Sequence, residues 1–202
     1  MRIALINGSH RHNSQSLRVT KYLAAQLPKI DSEIATDLID LTGNPLPLWD
    51  DGFWKAGSDL QKLWEPYGQR LTNADALVVV SPEWHGMVPS GLKNFFLYCS
   101  AKEVGHKPAM IVGVSASTGG AYPVDELRIS SYKNARICYI PDHLIVREVE
   151  SVFVSDVAAN KSDEYMRERA YYTLRILVEY AKAMKSVRDS GVTFDKRFPF
   201  GM

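Results

Sequence analysis

Length, composition and charge restrict this 202-residue chain to a few classes of protein. Its residues are 46% hydrophobic and 23% charged, which is ordinary for one globular domain. A net charge of +1 gives no electrostatic reason to expect nucleic-acid binding or a membrane surface, and no apolar run approaches the ~20 residues of a membrane span. Cys99 and Cys138 belong to no CxxC or zinc motif, so they predict buried thiols and a cytoplasmic location.

Apolar runs alternate with helical patterns along the chain, which is typical of a parallel sheet covered on both faces. Strands are predicted at residues 2–7, 33–41, 76–80, 109–114 and 143–149. Helices are predicted at 16–27, 59–73, from Ser90 onward, at 124–135 and at 163–186. The last helix has a predicted buried stripe of Tyr165, Ala170, Leu174, Leu177 and Ala181. The pattern favours a flavodoxin-like three-layer sandwich with a five-stranded parallel sheet in the order 2-1-3-4-5.

The turn after the first strand is rich in donors for an anion. Its backbone N–H groups lie at a helix N-terminus, and hydroxyl and guanidinium groups accompany them. These side chains belong to Ser9, Arg11, Ser14 and Ser16. One serine would suffice for an ordinary N-cap, which is the alternative. The glycine spacing of a Walker A loop or a dinucleotide fingerprint is missing, so a small phosphorylated cofactor is the expected ligand.

Residues 44–54 follow the second strand and combine two prolines with three large aromatic side chains. The composition fits a packed surface loop. It fits equally a wall of the active-site mouth or a contact between subunits, because tryptophan is enriched at interfaces.

The loop after the third strand, residues 81–89, combines rigidity with a flat aromatic ring. Prolines at both ends fix backbone torsions, and Gly86 permits a turn that a side chain would disfavour. Trp84 could flank a planar ligand. Glu83 and His85 are candidates for proton transfer, although a solvated or backbone-bonded role is the commoner one. The histidines of these loops match no standard metal spacing, so no metal is predicted.

The loop after the fourth strand, residues 115–122, is made of small residues and allows close backbone approach to a planar ligand. In a parallel sheet, the loops after the first, third and fourth strands follow neighbouring strand ends, so we expect them to form one site. Residues 191–202 predict a C-terminal extension beyond a domain of residues 1–190.

Four motifs stand out together along the chain: Gly8-Ser9-x-Arg11-x-x-Ser14; Leu46-Pro47-Leu48-Trp49-Asp50; Pro82-Glu83-Trp84-His85-Gly86 with Pro89, Leu92, Lys93 and Asn94; and Ser117-x-Gly119-Gly120 leading into Leu127-Arg128. In these motifs, and over residues 1–187, the chain resembles the NAD(P)H-dependent FMN reductases of the flavodoxin-like superfamily, which include quinone-, chromate- and azo-reducing enzymes. The family usually has Tyr-Asn where this chain has Trp84-His85.

The resemblance implies a set of FMN-binding residues. Those at the phosphate would be Ser9, Arg11, Ser14, Gln15 and Ser16. Those at the isoalloxazine ring would be Pro82, Glu83, Trp84, His85 and Gly86, completed by Ser115, Ser117, Gly119 and Gly120. NADPH or NADH would be the reductant, a small molecule the electron acceptor, and a homodimer or homotetramer the assembly. The flavin carries the chemistry, so no catalytic side chain is expected.

Two other functions are compatible with the same fold. One is an electron carrier like flavodoxin, which the near-neutral charge disfavours because such carriers are typically strongly acidic. The other is a non-enzymatic module that binds FMN or a different phosphorylated ligand.

Overall fold

The computed structural model describes residues 1–201, and a parallel sheet lies at their centre. Its strands are β1 (Arg2–Asn7), β2 (Ala35–Asp40), β3 (Ala76–Pro82), β4 (Pro108–Val114), β5 (Cys138–Tyr139) and β6 (Leu144–Val146). The order is β2-β1-β3-β4-β5, and β6 pairs with β4 as well. The flavodoxin-like order predicted from the sequence is therefore confirmed.

Helices cover both faces of the sheet. They are α1 (Gln15–Ile30), α2 (Asp59–Thr72), α3 (Ser90–Tyr98), α4 (Ala101–Val104), α5 (Tyr122–Ile129) and α6 (Lys161–Asp189). Alternate strand residues enter two separate cores, one beneath α1 and α6 and the other beneath α2, α3 and α5. A strand that is buried on both faces favours apolar residues on both, which explains the unbroken apolar run at residues 76–80 of β3.

The predicted last strand, 143–149, is wrong in its extent. The sheet edge is built from two short strands, β5 and β6, and Pro141 lies between them. Proline has no N–H to donate to a strand ladder, so pairing is interrupted there. The carbonyls of Ile140 and Pro141 accept hydrogen bonds from the Arg128 guanidinium instead.

The predicted helix 124–135 is also too long, because α5 ends at Ile129. The hydroxyls of Ser130 and Ser131 donate to the carbonyls of Glu126 and Leu127, at the end of the helix. Ser131 then takes a left-handed conformation, with φ of 50°. The chain thereby turns back toward the sheet in time to form β5.

The predicted buried stripe of α6 is correct except for Tyr165, which is 65% exposed. At 100° per residue, Tyr165 lies about 140° around the helix from Ala170. The buried position in the first turn belongs to Asp163, whose carboxylate accepts hydrogen bonds from the N–H groups of Phe153 and Ala159. No helix within residues 1–201 is long and apolar enough to cross a membrane.

The segment that follows α6 is fastened to the domain by Arg136. Its guanidinium donates to the carbonyls of Thr193 and Phe198. Met202, the last residue of the predicted extension, lies outside the described residues. The division at residue 190 stays a prediction.

Candidate functional site

The loop from β1 to α1, here called the first loop, leaves the sheet in close contact with its neighbours. A Cβ at Gly8 would lie 2.5 Å from Cδ2 of Leu92 and 2.7 Å from the carbonyl oxygen of Val80. The N–H of Gly8 donates to that same carbonyl at 2.8 Å. Only glycine therefore fits between β3 and α3 at this position.

Asn7, which the sequence marked only as the end of a strand, orients the first loop. Its buried amide nitrogen donates to Asp40 Oδ1 at 2.7 Å, and its amide oxygen accepts from the N–H of Ser9. Burial would raise the pKa of the Asp40 carboxyl, but hydrogen bonds from Asn7 and Thr42 outweigh it and lower that pKa. The first loop is thus tied to β2 as well as to β1.

The serine hydroxyls of the first loop accept backbone hydrogen bonds. Ser14 is the N-cap of α1 and accepts from the N–H of Leu17 at 3.1 Å. Ser9 is buried, and its Oγ accepts from the N–H of Arg11 at 3.4 Å. Since each hydroxyl is occupied as an acceptor, its O–H hydrogen remains available to donate to a ligand. Ser16 is buried in the first turn of α1, while Arg11 is exposed.

Gln15 has a partner in its own helix. Its Oε1 accepts a 2.8 Å hydrogen bond from Nε of Arg18, and the rest of that guanidinium donates to the carbonyls of Val149 and Val152. The chain beyond β6 is thereby held against the start of α1. This role of Arg18 carried no signal in the sequence, because Val149 and Val152 lie more than 130 positions away.

The loop after β3, here called the second loop, closes as a tight turn. Trp84 and Met87 exchange backbone hydrogen bonds of 3.1 and 2.9 Å. His85 and Gly86 between them have φ of 50° and 72°. Positive φ at both central positions is the signature of a type I′ turn, and histidine enters that region more readily than most residues. Trp84 is half-buried and His85 is exposed.

The loop after β4, here called the third loop, is held by side chains on both sides. The Oγ of Ser115 accepts from the N–H of Ser117 at 3.2 Å. Arg147, which the sequence analysis missed, donates from Nε to the carbonyls of Thr118 and Gly119. Ser117 itself is exposed, at the end of the sheet.

The glycines of the third loop lie where the chain approaches its neighbours closely. Gly120 has φ of 101°, and a Cβ on it would lie 2.7 Å from Cγ2 of Ile145. A Cβ on Gly119 would lie 2.6 Å from Oε1 of Glu83. The second and third loops are therefore packed directly against each other.

Two contacts join the three loops. Glu83 accepts a 2.6 Å hydrogen bond from the N–H of Gly120, so its carboxylate is bonded to backbone, the commoner of the two roles considered for it. His10 in the first loop packs on Trp84 in the second, with ring centroids 4.7 Å apart and planes at 87°. The predicted residues of all three loops thus lie at one end of the sheet.

A brace outside the predicted set supports the second loop. Glu126 of α5 accepts from the N–H of Val88 at 2.6 Å and from Nζ of Lys93 at 2.5 Å. Burial would raise the pKa of Glu126, but the hydrogen bonds from Lys93 and Val88 outweigh it and lower that pKa. No sequence motif indicated this role of Glu126, because the two partners are 38 and 33 positions away.

The 44–54 segment is packed on α3. Asn94 accepts from the N–H of Trp49 at 2.8 Å and donates to the carbonyl of Pro47 at 2.7 Å, where the hydroxyl of Tyr98 donates as well. At its start, the N–H of Gly43 donates to the carbonyl of His10. The segment is therefore a packed loop whose beginning borders the first loop.

A cavity of about 610 Å³ lies elsewhere, between α2 and α4, and none of the predicted site residues lines it. The three-loop site is better suited to a phosphorylated planar ligand. It offers an exposed guanidinium on Arg11, the serine hydroxyls of the first loop and the N-terminus of a 16-residue helix. The buried Nδ1 of His10, in the same loop, has no hydrogen-bond partner among residues 1–201.

Known proteins match much of this chain in sequence. Residues 1–150 match the family model described as NADPH-dependent FMN reductase. A 2-hydroxy-1,4-benzoquinone reductase from a Burkholderia species is 31% identical over 124 residues, 59% of this chain and 63% of that protein. An NADPH azoreductase from a Bacillus species is 30% identical over 123 residues, 59% of this chain and 62% of that protein. The chain thus matches somewhat less than two thirds of the length of each relative.

A solved structure shares the fold. The flavoenzyme NAD(P)H:(acceptor) oxidoreductase FerB from Paracoccus denitrificans superposes with a TM-score of 0.68 over 91% of this chain and 98% of its own, at 19% identity. The family model covers about three quarters of the sequence and includes all three loops. The resemblance drawn from the sequence motifs is confirmed, and the chain belongs to the family of NADPH-dependent FMN reductases.

Proposed function

We propose that this protein is an FMN-dependent oxidoreductase that passes reducing equivalents from NADPH or NADH to a small acceptor. A quinone, an azo compound, a metal oxyanion or free flavin would each qualify as the acceptor. Membership of the FMN reductase family carries the proposal. The names of the two relatives, a quinone reductase and an azoreductase, support the first two acceptor classes.

The phosphate of FMN would lie at the first loop. Its ligands would be Ser9, Arg11, Ser14, Gln15 and Ser16. The N-terminus of α1 supports this proposal, because its unpaired N–H groups and helix dipole favour an anion. The exposed guanidinium of Arg11 adds a charge-assisted hydrogen bond.

The isoalloxazine ring would lie across the second and third loops. Its contacts would be with Pro82, Glu83, Trp84, His85, Gly86, Ser115, Ser117, Gly119 and Gly120. Backbone N–H groups of tight turns can donate to the ring without a side chain in the way. The contact of Glu83 with Gly120 supports a common platform for both loops.

Bound FMN would supply the redox chemistry, by accepting a hydride from the nicotinamide and delivering electrons to the acceptor. The protein would bind and orient the ring and stabilise its reduced form with preorganised N–H donors. No catalytic side chain is proposed. Glu83 is already engaged as a hydrogen-bond acceptor, and His85 lies exposed on a turn.

We also propose a homodimer or homotetramer located in the cytoplasm, with residues 1–190 as the FMN-binding domain and 191–202 as an extension. Leu97 supports self-association: it is 61% exposed beside the braced second loop, next to a groove lined by Phe96 and Leu127. Cys99 and Cys138 are free thiols, which supports a reducing compartment.

The test starts with the absorbance spectrum of the purified protein, before and after addition of FMN. Steady-state oxidation of NADPH and NADH is then followed with a benzoquinone, an azo dye and chromate. A yellow protein that consumes nicotinamide with one of these acceptors is expected. Colourless protein that neither binds FMN nor oxidises nicotinamide would rule the proposal out. A flavoprotein with a stable semiquinone and no turnover of nicotinamide would be a carrier instead.

A further inference from the structure

The side chain of His10 has an environment that its neighbours in the first loop lack. The rings of His10 and Trp84 meet edge to face, at 4.7 Å and 87°. The Nδ1 atom is buried and has no hydrogen-bond partner among residues 1–201. Packing therefore holds the imidazole in place, rather than a hydrogen bond of Nδ1.

The backbone around His10 is fixed from two sides. Its carbonyl accepts a 3.0 Å hydrogen bond from the N–H of Gly43, and Gly8 just before it is bonded to β3. The ring itself rests on the start of α3, where a Cβ at Gly91 would lie 3.0 Å from Nδ1. Gly91 thus leaves the space that the imidazole occupies. His10 is a fixed point on the rim of the site.

Trp84 has a fixed backbone and a less constrained side chain. The hydrogen bonds to Met87 lock its main chain in the turn. The indole is half-buried and belongs to neither core, and within residues 1–201 its aromatic contact is with His10. An edge-to-face aromatic pair favours one relative orientation of its two rings. The imidazole is therefore placed to hold the indole in one orientation.

We infer that His10 is a positioning residue that holds the Trp84 indole at the junction of the first and second loops and so sets how wide an acceptor can approach the proposed flavin site. This inference rests on the proposed function for the place of Trp84 beside the flavin. The contact between the two rings does not depend on that function. Removal of the imidazole frees the indole to turn, and acceptors of different width then respond differently.

The kinetic test compares His10→Ala, His10→Phe and His12→Ala with the parent protein. The measured quantity is the ratio of kcat/KM for a two-ring naphthoquinone to that for a one-ring benzoquinone. In His10→Ala we expect the ratio to change about three- to tenfold, the range that an aromatic pair supports. His10→Phe should keep the parent ratio, because a phenyl ring preserves the edge-to-face contact and Nδ1 has no partner to lose. His12→Ala is the matched control, an exposed histidine of the same loop.

A second measurement does not require turnover. In protein labelled with ¹³C at histidine, the His10 ring resonances are assigned by their loss in His10→Phe. Trp84→Leu should shift them, because the indole ring current disappears. Resonances that stay in place would show that the two rings are not in contact, and the inference would fall.

Two kinetic results would also overturn it. An unchanged ratio in His10→Ala would mean that the indole is held by other groups. A His10→Phe protein that behaves like His10→Ala would mean that the histidine acts through a ring nitrogen. Failure of the parent protein to oxidise nicotinamide at all would instead refute the proposed function, while the resonance measurement still decides whether the His10 and Trp84 rings are in contact.

Discussion

The carboxylate of Glu83 accepts a 2.6 Å hydrogen bond from the backbone N–H of Gly120, 37 positions further along the chain. The bond joins the loop after β3 to the loop after β4 at the end of the sheet. Glu83 also fills the space where Gly119 has no side chain. The two loops therefore act as one rigid platform.

Replacing Glu83 tests that platform. Glu83→Ala removes the acceptor, and we expect FMN to bind about tenfold more weakly, since a hydrogen bond to a charged group is worth about 1.5–3 kcal/mol. Glu83→Gln keeps an acceptor oxygen and should lose less. Titration of each variant with FMN, followed by flavin fluorescence, gives the affinities. Glu65→Ala, at an exposed glutamate of α2, is the control. Equal affinity in Glu83→Ala and the parent would contradict a role for this clamp.

Arg11 tests the location of the phosphate. Its exposed guanidinium is the cation of the first loop. In Arg11→Ala we expect FMN affinity to fall about tenfold or more, because a charge-assisted hydrogen bond is lost. Arg197→Ala should bind FMN as the parent does, since Arg197 is exposed and pairs with Asp195 in the tail. An Arg11→Ala protein of unchanged affinity would place the phosphate elsewhere.

Lys107 predicts a specific pH dependence of stability. This lysine is 6% exposed and donates to the carbonyls of Leu71 and Thr72 at the end of α2. Burial lowers its pKa from 10.5 to about 8. Between these two pH values the unfolded chain binds more protons than the folded one, so the free energy of unfolding rises with pH. The stabilisation from neutral Lys107 is fully present above pH 10.5 and is lost as the pH falls through about 8.

The measurement is urea unfolding of the parent and of Lys107→Met between pH 7 and 10.5. The stability of the parent relative to the variant should rise by roughly 2–3 kcal/mol over this range, at about 1.4 kcal/mol per pKa unit. The parent is compared with the variant at each pH because burial also raises the pKa of the Cys99 thiol. That raised pKa makes the stability of both proteins fall as the pH rises, and the comparison removes this effect. Lys102→Met, at an exposed position, is the control. A difference that is flat with pH would show that Lys107 ionises normally.

Replacement of Asp163 should destabilise the protein strongly. Its fully buried carboxylate accepts from the N–H groups of Phe153 and Ala159 and pairs with Arg167 at 3.1 Å. Asp163→Asn should lower the free energy of unfolding by about 3 kcal/mol, because it leaves Arg167 without its counter-charge. Thermal or urea unfolding measures the change. The side chain of Asp59 is 92% exposed, so Asp59→Asn should lower the free energy of unfolding by less than about 0.5 kcal/mol. Similar losses in both would contradict the importance of burial.

The same aspartate predicts acid sensitivity. Burial would raise the pKa of Asp163, but hydrogen bonds from Phe153 and Arg167 outweigh it and hold that pKa below 3.8. The carboxylate therefore stabilises the fold above pH 3.8, and this contribution is lost as the pH falls through the lower, folded-state value. The gap between the parent and Asp163→Asn should narrow in acid. A constant gap would indicate that the carboxylate stays charged.

The sequence by itself determined the order of the first four strands and of the longer helices, the position of the first loop and the family. These features are local: apolar periodicity defines strands and helices, and the motif around Gly8, Arg11 and Ser14 lies within a few positions. The ends of α5 and of the last strands were not predicted correctly from the sequence. The hydrogen bond from Ser130 to the Glu126 carbonyl and the break in strand pairing at Pro141 depend on how the sheet edge is completed.

Only the tertiary structure decided which side chains hold the site together. Glu83 meets Gly120, Glu126 meets Val88, and His10 meets Trp84 across separations of 37, 38 and 74 positions. Strand spacing and helix packing set these distances, and no local pattern records them. The sequence predicts which loops reach one end of a parallel sheet, whereas the tertiary structure determines which atoms of those loops are in contact.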